Sequence, residues 1–497
     1  MLLPPKSALT QADIDKGLRM VIGDGLATEA MTVFTGGAFL TAMALLLGAT
    51  NFQIGMLAGL PTFTNIFQLS SIWLVGKFNN RRLVAVGCAL LARIPLIILG
   101  LLALSSKASI HLLLTLLFIY YFFGSVAGPA WNSWIKDLVP EDILGTYFGR
   151  RIRLSQMLNV SLSIVLAILL DYVKRQAAGL EIYAYAVMFV AGGMVGIAGA
   201  FILSRAQEPR TSLSDARFIQ LMRQPLIDGN FSRLLLFNAA WAFSLNLATP
   251  FFTVYMIKEL NLPMASIIIL SSLGLISSIL TVRVWGRMAD RYSNKTIIAF
   301  GGPLYVLCIL GWCFVGVFTD RWAILLLLLL IHSGSGVATA GINLSLANIG
   351  LKLAPKEDAI VYLSTQNIII AFFSSVAPLI GGVLADFFTA RNLRVTAQWT
   401  SPHVEKVFRL LILHSWNFLF LIGAVLALVS LQLLTAVTEK GEVEKDKLSR
   451  LVRHTIRSGL KETFLIGDII QWHEQLRLLV RRRLLRRDGI TGGGPPR

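Results

Sequence analysis

Runs of about 20 mostly apolar residues, each long enough to cross the hydrocarbon core of a bilayer as a helix, recur along the whole chain. Twelve can be counted, near residues 26–48, 53–75, 83–104, 109–134, 152–172, 183–204, 233–257, 264–285, 295–318, 322–348, 359–385 and 409–437. In lipid an uninterrupted apolar run can satisfy its backbone N–H and C=O groups within itself only as a helix. The pattern therefore predicts an all-α integral membrane protein with twelve transmembrane helices. Composition agrees, because 14% of the 497 residues are charged against roughly 25% in soluble domains. That is too little charge to cover so much apolar surface in water. The 10 Trp and 29 Phe fit a lipid-facing surface with aromatic belts.

The formal net charge of +18 sits in short basic runs between the apolar segments and near the end of the chain. A nucleic-acid surface would gather that charge on one globular face, so nucleic acid is excluded as a partner. Loops on the cytoplasmic side of a membrane carry an excess of Lys and Arg. Counting Arg81, Arg82, Arg150, Arg151, Arg153, Arg287 and Arg291 among the inside loops gives that excess. An even number of helices then leaves both termini cytoplasmic. The expected location is a cell membrane of the bacterial inner-membrane kind, with the bilayer as partner and the chain a monomer. The N-terminal apolar stretch is short and broken by Pro4 and Pro5, so no cleaved signal is expected.

Several chemistries are excluded by motif. Cys88, Cys308 and Cys313 lie inside apolar stretches without disulfide or zinc spacing. No phosphate-binding loop, catalytic triad or metal-ligand pattern is present. No cofactor and no enzymatic activity are expected.

The segment 205–232 is the longest inside connection before the tail, and it divides the chain. The expected organisation is an N-terminal cytoplasmic segment 1–25, a six-helix bundle 26–204, the linker 205–232, a second six-helix bundle 233–437 and a basic tail 438–497. The two halves repeat. Asn51 and Gly76 recur as Asn261 and Gly286, 210 residues later. Pro140, Tyr147 and Asp171 recur as Pro355, Tyr362 and Asp386, 215 residues later, in topologically equivalent places. Such matches read as a parallel repeat of six helices.

The run GRMADRYSNK, from Gly286 to Lys295, resembles the loop signature of the major facilitator superfamily. The segment SVAPLIGGVLADF, 375–387, is similar to a common ending of helix eleven in that superfamily. In the family this loop is a cytoplasmic latch, which the resemblance carries onto Gly286, Arg287, Asp290 and Arg291. Locally, glycine permits a tight turn, and Asp290 can face a helix N-terminus. Arg287 and Arg291 can pair with acids or lipid phosphates. In the first half Asn80 stands where the aspartate is expected, so that copy should be weaker or rely on Arg81 and Arg82. The resemblance implies two six-helix bundles, alternating-access transport of a small solute, and coupling to protons rather than sodium. Helix five lacks the Gly-Pro-rich signature of many proton-driven drug antiporters, which leaves a drug or lipid exporter as the second transport reading. A membrane-embedded receptor or enzyme is the reading from another class.

Ionisable groups inside a membrane span are costly and mark function by default. Three are coupling candidates. Arg93 lies deep in helix three, Glu29 lies in the first turns of helix one where it could pair with Arg93, and His332 lies midway along helix ten. For each, a packing or structural role stands beside the functional one. Polar and aromatic groups on expected cavity helices are the substrate candidates: Tyr120, Trp131 and Asn132, Gln156 and Asn159, Asn238, Trp241 and Asn246, Asn343, and Gln366. Asn and Gln in hydrocarbon need partners, either another helix or a solute. This mixture suits a sugar or an amphipathic organic molecule better than a bare inorganic ion. Small-residue runs at GGMVGIAGA and GSGSGVATAG allow close helix approach. Residues 443–487 show apolar positions at helical spacing with basic residues between, the pattern of amphipathic helices on an inner leaflet.

Overall fold

The computed structural model describes residues 5–6, 9–177, 179–210, 223–316, 318, 320–355, 358–401 and 404–439. The amphipathic helices expected in the tail lie outside the described residues, and the linker is described only at its two ends. Among the described residues, one β-hairpin and one isolated bridge, Lys6 to Pro209, interrupt an otherwise helical chain.

The first span comprises α1 (Gln11–Thr35) and α2 (Gly37–Leu46). It begins well before residue 26, because Thr10 and Asp13 form a reciprocal capping box that fixes the start at Gln11. The N-terminal segment is therefore largely helix, and Asp24 lies inside the span. The span kinks at Gly36, and Gly37 has φ 57°, a left-handed conformation open to glycine at no steric cost.

The segment expected at 53–75 is not one helix. Pro61 removes a backbone donor in α3 (Asn51–Thr64), a 3-10 turn follows at Asn65–Gln68, and α4 (Leu69–Phe78) completes the segment. Neither half alone is long enough to cross a bilayer, whereas among the described residues eleven other helical segments are long and apolar enough to do so. These continue as α5 (Arg81–Leu104), α6 (Ile110–Leu138), α7 (Leu144–Gln176) and α8 (Glu181–Ser204). After the short α9 (Gln224–Ile227) come α10 (Gly229–Lys258), α11 (Met264–Tyr292), α12 (Asn294–Val315), α13 (Arg321–Leu353) and α14 (Ala359–Phe388).

Strands β1 (Asn392–Ser401) and β2 (Val404–His414) form an antiparallel hairpin, and α15 (Trp416–Leu434) closes the described chain. Residues 409–414 are thus strand, not the start of the last helix. The alternation Arg394-Val395-Thr396-Ala397-Gln398-Trp399-Thr400 carries the period of two that favours a strand.

Two bundles result. In the first, α1 packs on α8, and α5 packs on α6 and α8. In the second, α13 packs on α11 and α12, and α10 packs on α14 and α15. Close approach of α1, α5 and α8 depends on the glycine-rich face of α8. A Cβ at Gly196 would stand 3.1 Å from Arg93 Cδ, and one at Gly199 would stand 2.7 Å from Ala27 Cβ.

The bundles meet through α3 on α14 and α7 on α11, with α2 reaching α10 and α11. These contacts gather at the end where α3 and α11 begin, here termed the distal end. There Asp171, at the end of α7, accepts hydrogen bonds from the backbone N–H groups of Met264 and Ala265, both 2.8 Å, at the start of α11. Asp386, at the end of α14, accepts from Asn51 N at 3.2 Å and Phe52 N at 3.0 Å, at the start of α3. The pair is the spatial expression of the repeated aspartates. Each carboxylate caps a helix of the other bundle, where orphan donors and the helix dipole both favour negative charge.

The proximal end repeats the device within each bundle. Glu208, beyond α8, accepts from the backbone N–H groups of Arg81 and Arg82 at the start of α5, and from Arg81 Nε at 3.1 Å. Glu439, beyond α15, accepts from the backbone of Asn294 and Lys295 at the start of α12, and from Lys352 Nζ at 3.1 Å.

Candidate functional site

Six helices of the first bundle, together with the 3-10 turn, surround a cavity of about 520 Å³. Small residues make the space. Ala85, Ala89 and Ala92 recur at helical spacing on α5, and Gly124 and Gly128 on α6 leave room that a Cβ would enter without meeting any atom within 4 Å. Polar and aromatic groups then project into it: Asp24 and Thr28 from α1, Arg93 from α5, Tyr120, Tyr121, Trp131 and Asn132 from α6, and Arg151 from α7. Asn65 and Gln68 enter from the 3-10 turn, where the break in the helix turns them toward the space.

The charged groups of the cavity make an ion pair and a cation–π contact. Arg93 Nη2 lies 3.5 Å from Asp24 Oδ1 and 3.1 Å from Thr28 Oγ1. Both charged side chains are 7% exposed. The Arg151 guanidinium lies 4.9 Å from the centre of the Trp131 ring, a cation–π distance. Gly25 leaves the space that Arg151 fills, since a Cβ there would stand 2.6 Å from Arg151 Nε. Arg93 Nη1 and Arg151 Nε are both buried without a hydrogen-bond partner.

Arg93 thus meets Asp24 rather than Glu29. Glu29 Oε1 instead accepts from Asn159 Nδ2 at 2.6 Å, joining α1 to α7. Sequence reasoning missed two charged members of the site, along with Thr28, Asn65, Gln68 and Tyr121. Asp24 was placed before the first helix, and Arg151 was counted among the inside-loop charges. The four-residue spacing of Asp24 and Thr28, with Glu29 adjacent, was the available signal for a polar face on a helix that starts earlier.

Of the substrate candidates, Tyr120, Trp131 and Asn132 line the cavity, and Gln156, Asn159, Asn238, Trp241, Asn246, Asn343 and Gln366 do not. Asn246 donates to Ser374 Oγ at 3.2 Å, tying α10 to α14. Gln366 is buried and its Nε2 lies 3.5 Å from the Leu346 carbonyl on α13. Trp241 is buried against Phe237, and Asn343 is exposed. Asn238 is buried with neither amide atom partnered.

His332 stands edge-on to Trp312, ring centres 5.7 Å apart, beside an aromatic cluster that includes Phe252, Tyr255 and Phe420. Its Nε2 is buried and unpartnered.

The latch residues lie at the proximal end of α11. Gly286 is inside the helix, which runs on to Tyr292, so the turn is not made there. It is made at Ser293, with φ 150°, whose hydroxyl caps α12 by accepting from Thr296 N. The first-half copy ends differently, since Asn79 closes α4 with φ 48° and Asn80 caps α5 by accepting from Leu83 N. Asp290 and Arg291 are exposed. Arg81 and Arg82 serve their own bundle, with Arg81 reaching Asp137 at 2.6 Å and Arg82 reaching the Ala206 carbonyl at 2.8 Å.

Two repeated helical bundles, clasped at one end, made of helices that can cross a bilayer and holding a polar cavity in the first bundle, have the architecture of a membrane transporter. The Major Facilitator Superfamily model matches residues 25–378, and the chain belongs to that superfamily. Solved structures share the fold at low identity. The nucleoside transporter NupG aligns with TM-score 0.63 and 13% identity, over 85% of this chain and 98% of its own. A bacterial homologue of the iron transporter ferroportin, in an inward-facing state, aligns with TM-score 0.58 and 11% identity, over 87% of this chain and 100% of its own. A bacterial homologue of the human lysosomal transporter Spinster, also inward-facing, aligns with TM-score 0.56 and 14% identity, over 92% of this chain and 99% of its own. No curated protein sequence matches the chain.

Proposed function

We propose that this protein is a secondary active transporter that moves a small organic solute across a cell membrane by alternating access between its two bundles. The observation that supports it best is the asymmetry of the two ends. Paired carboxylate caps clasp the distal end across the bundles, through Asp171 and Asp386. At the proximal end the corresponding caps, Glu208 and Glu439, stay within a bundle. A rocking motion would break the distal clasp and leave each bundle intact. With both termini cytoplasmic, as the basic loops suggest, the described conformation is open to the inside.

The solute site is the cavity of the first bundle. Proton coupling fits two carboxylates within membrane helices, Asp24 against Arg93 and Glu29 against Asn159. The place of His332 against Trp312 favours packing over coupling. The N-terminal bundle to residue 204, the linker 205–232 and the second bundle to 437 are the working units, and the Asp290 end of α11 is the latch that engages when the proximal end closes. Counterflow of a labelled solute in proteoliposomes tests transport, and accumulation driven by an imposed pH gradient tests coupling. Absence of counterflow for every solute that stabilises the protein would falsify the transport reading. Reporter fusions after residue 437 test the orientation, and activity only outside the cell would reverse it.

A further inference from the structure

The cavity of the first bundle carries an excess of positive charge that its own residues do not satisfy. Its charged lining residues are two arginines, Arg93 and Arg151, and one aspartate, Asp24. Asp24 is engaged with Arg93 through Nη2. That leaves Arg93 Nη1 buried and without a partner on a side chain 7% exposed. Arg151 stands over the Trp131 ring, and its Nε is likewise buried and unpartnered. An unmatched N–H of a buried guanidinium is costly, more so than a neutral one. Arginine presents its N–H groups in a rigid fork whose geometry matches the oxygens of carboxylate or phosphate. A neutral or cationic solute would leave the excess charge uncompensated.

We propose that the cavity takes an organic monoanion, a carboxylate or a phosphate diester. Its oxygens accept from Arg93 and Arg151, and its organic body lies against Trp131 and Tyr120. The proposal rests on the transport reading only for the movement of that anion across the membrane; its binding stands on the cavity alone. Asp24 orients Arg93 and keeps the net cavity charge at a single positive unit. One anionic group therefore neutralises the site, and a second would not be matched. The volume, about 520 Å³, is in the range of small-ligand pockets.

The test heats the purified full-length protein in detergent with matched probes: benzoate, methyl phenyl phosphate, benzamide and benzylamine. Benzamide is the neutral counterpart of benzoate, and benzylamine carries the opposite charge. A ligand of the folded state raises the unfolding midpoint as its concentration exceeds its Kd, so each probe is used at about 10 mM. Benzoate or methyl phenyl phosphate should raise the midpoint while benzamide and benzylamine leave it unchanged, and the larger of the two anion shifts separates carboxylate from phosphate chemistry. Arg151→Gln should weaken binding of that anion roughly ten-fold or more, the scale of one charged hydrogen bond. Arg151→Lys should restore only part, because it keeps the charge and loses the fork. Arg151 is the variant of choice because truncating Arg93 would strand Asp24. No shift with either anion, an equal shift with benzamide, a larger one with benzylamine, or unchanged anion binding in Arg151→Gln would overturn the proposal. Counterflow of the bound anion in proteoliposomes is scored separately. An anion that binds and does not exchange upholds the anion site and counts against the transport reading.

Discussion

Replacing both clasp carboxylates, Asp171→Asn together with Asp386→Asn, should release the distal end. Each carboxylate accepts two backbone N–H groups from a helix N-terminus of the opposite bundle. Hydrogen bonds to a charged group contribute about 1.5–3 kcal/mol, against about 0.5–1.5 kcal/mol for neutral ones. The asparagine carbonyl retains one neutral acceptor, its NH₂ faces a backbone donor, and the charge–dipole attraction of about 0.3–1 kcal/mol is lost. A loss of about 1–2 kcal/mol per site is a conservative reading, or about 2–4 kcal/mol for the pair. At about 1.4 kcal/mol per decade this multiplies the ratio of distal-open to distal-closed molecules by about 30 to 1,000. A distal-open state populated at about 1% would rise to between about 20% and 90%. The two sites lie on separate helix pairs, so each single variant should give about half the effect in free energy. The assay is the distribution of distances between spin labels at Lys107 and Trp322, exposed distal positions of the two bundles. The distribution should gain a longer component. An unchanged distribution in the double variant, with normal expression, would show that the aspartates cap helices without holding the conformation.

Other expectations follow from the same geometry. Asp24→Asn should destabilise the protein by about 3–5 kcal/mol by leaving Arg93 buried without its counter-charge, and the joint replacement Asp24→Leu with Arg93→Met should regain most of that. The check is the thermal midpoint in detergent, where a neutral single variant would show that the pair is solvated. Glu29→Gln should preserve counterflow and abolish uphill accumulation, while His332→Gln preserves both; loss of accumulation in the histidine variant would return coupling to His332. Asp290→Asn should raise the proximal-open population and slow transport, read from labels at the proximal ends, and an unaltered distribution with normal transport would make it an ordinary surface charge. Burial alone would raise the pKa of Glu439, but bonds from the Lys295 and Asn294 backbone and from the Asn294 and Lys352 side chains hold it below the usual glutamate range. Its folded pKa is depressed, so its stabilisation is present above the unfolded value and is lost as pH falls through the folded one. Wild type should therefore exceed Glu439→Gln in stability at neutral pH, and the gap should close in acid; a pH-independent gap would mean that shape and not charge is involved.

Much of the architecture was written in one dimension. Apolar run length against bilayer thickness gave the membrane helices, and the repeat gave two bundles, because both properties are local or periodic. The repeated Asp171 and Asp386 were visible as a pair, though their capping of helices in the opposite bundle was not. Breaks were harder to see. The kink at Gly36, the 3-10 turn at Asn65–Gln68 and the strand at 404–414 each sit inside or beside an apolar run, where hydropathy alone is indifferent to backbone form. In the site, Tyr120, Trp131, Asn132 and Arg93 were legible as polar or aromatic groups on membrane helices. Asp24 and Arg151 were not, because a charge near the end of an apolar run looks the same whether it faces water or a cavity.

What the sequence by itself determined was therefore membership of a membrane: length, hydropathy and repeat fix how many helices cross and how they pair into halves, since the bilayer is a uniform solvent that reads each segment separately. What only the tertiary structure decided was which polar groups meet. Glu29 went to Asn159 and Arg93 to Asp24, and Gln366 and Asn246 became ties between helices. Those choices depend on the rotation of each helix about its axis and on where glycine lets two backbones approach, and these are set by packing against neighbours hundreds of residues away.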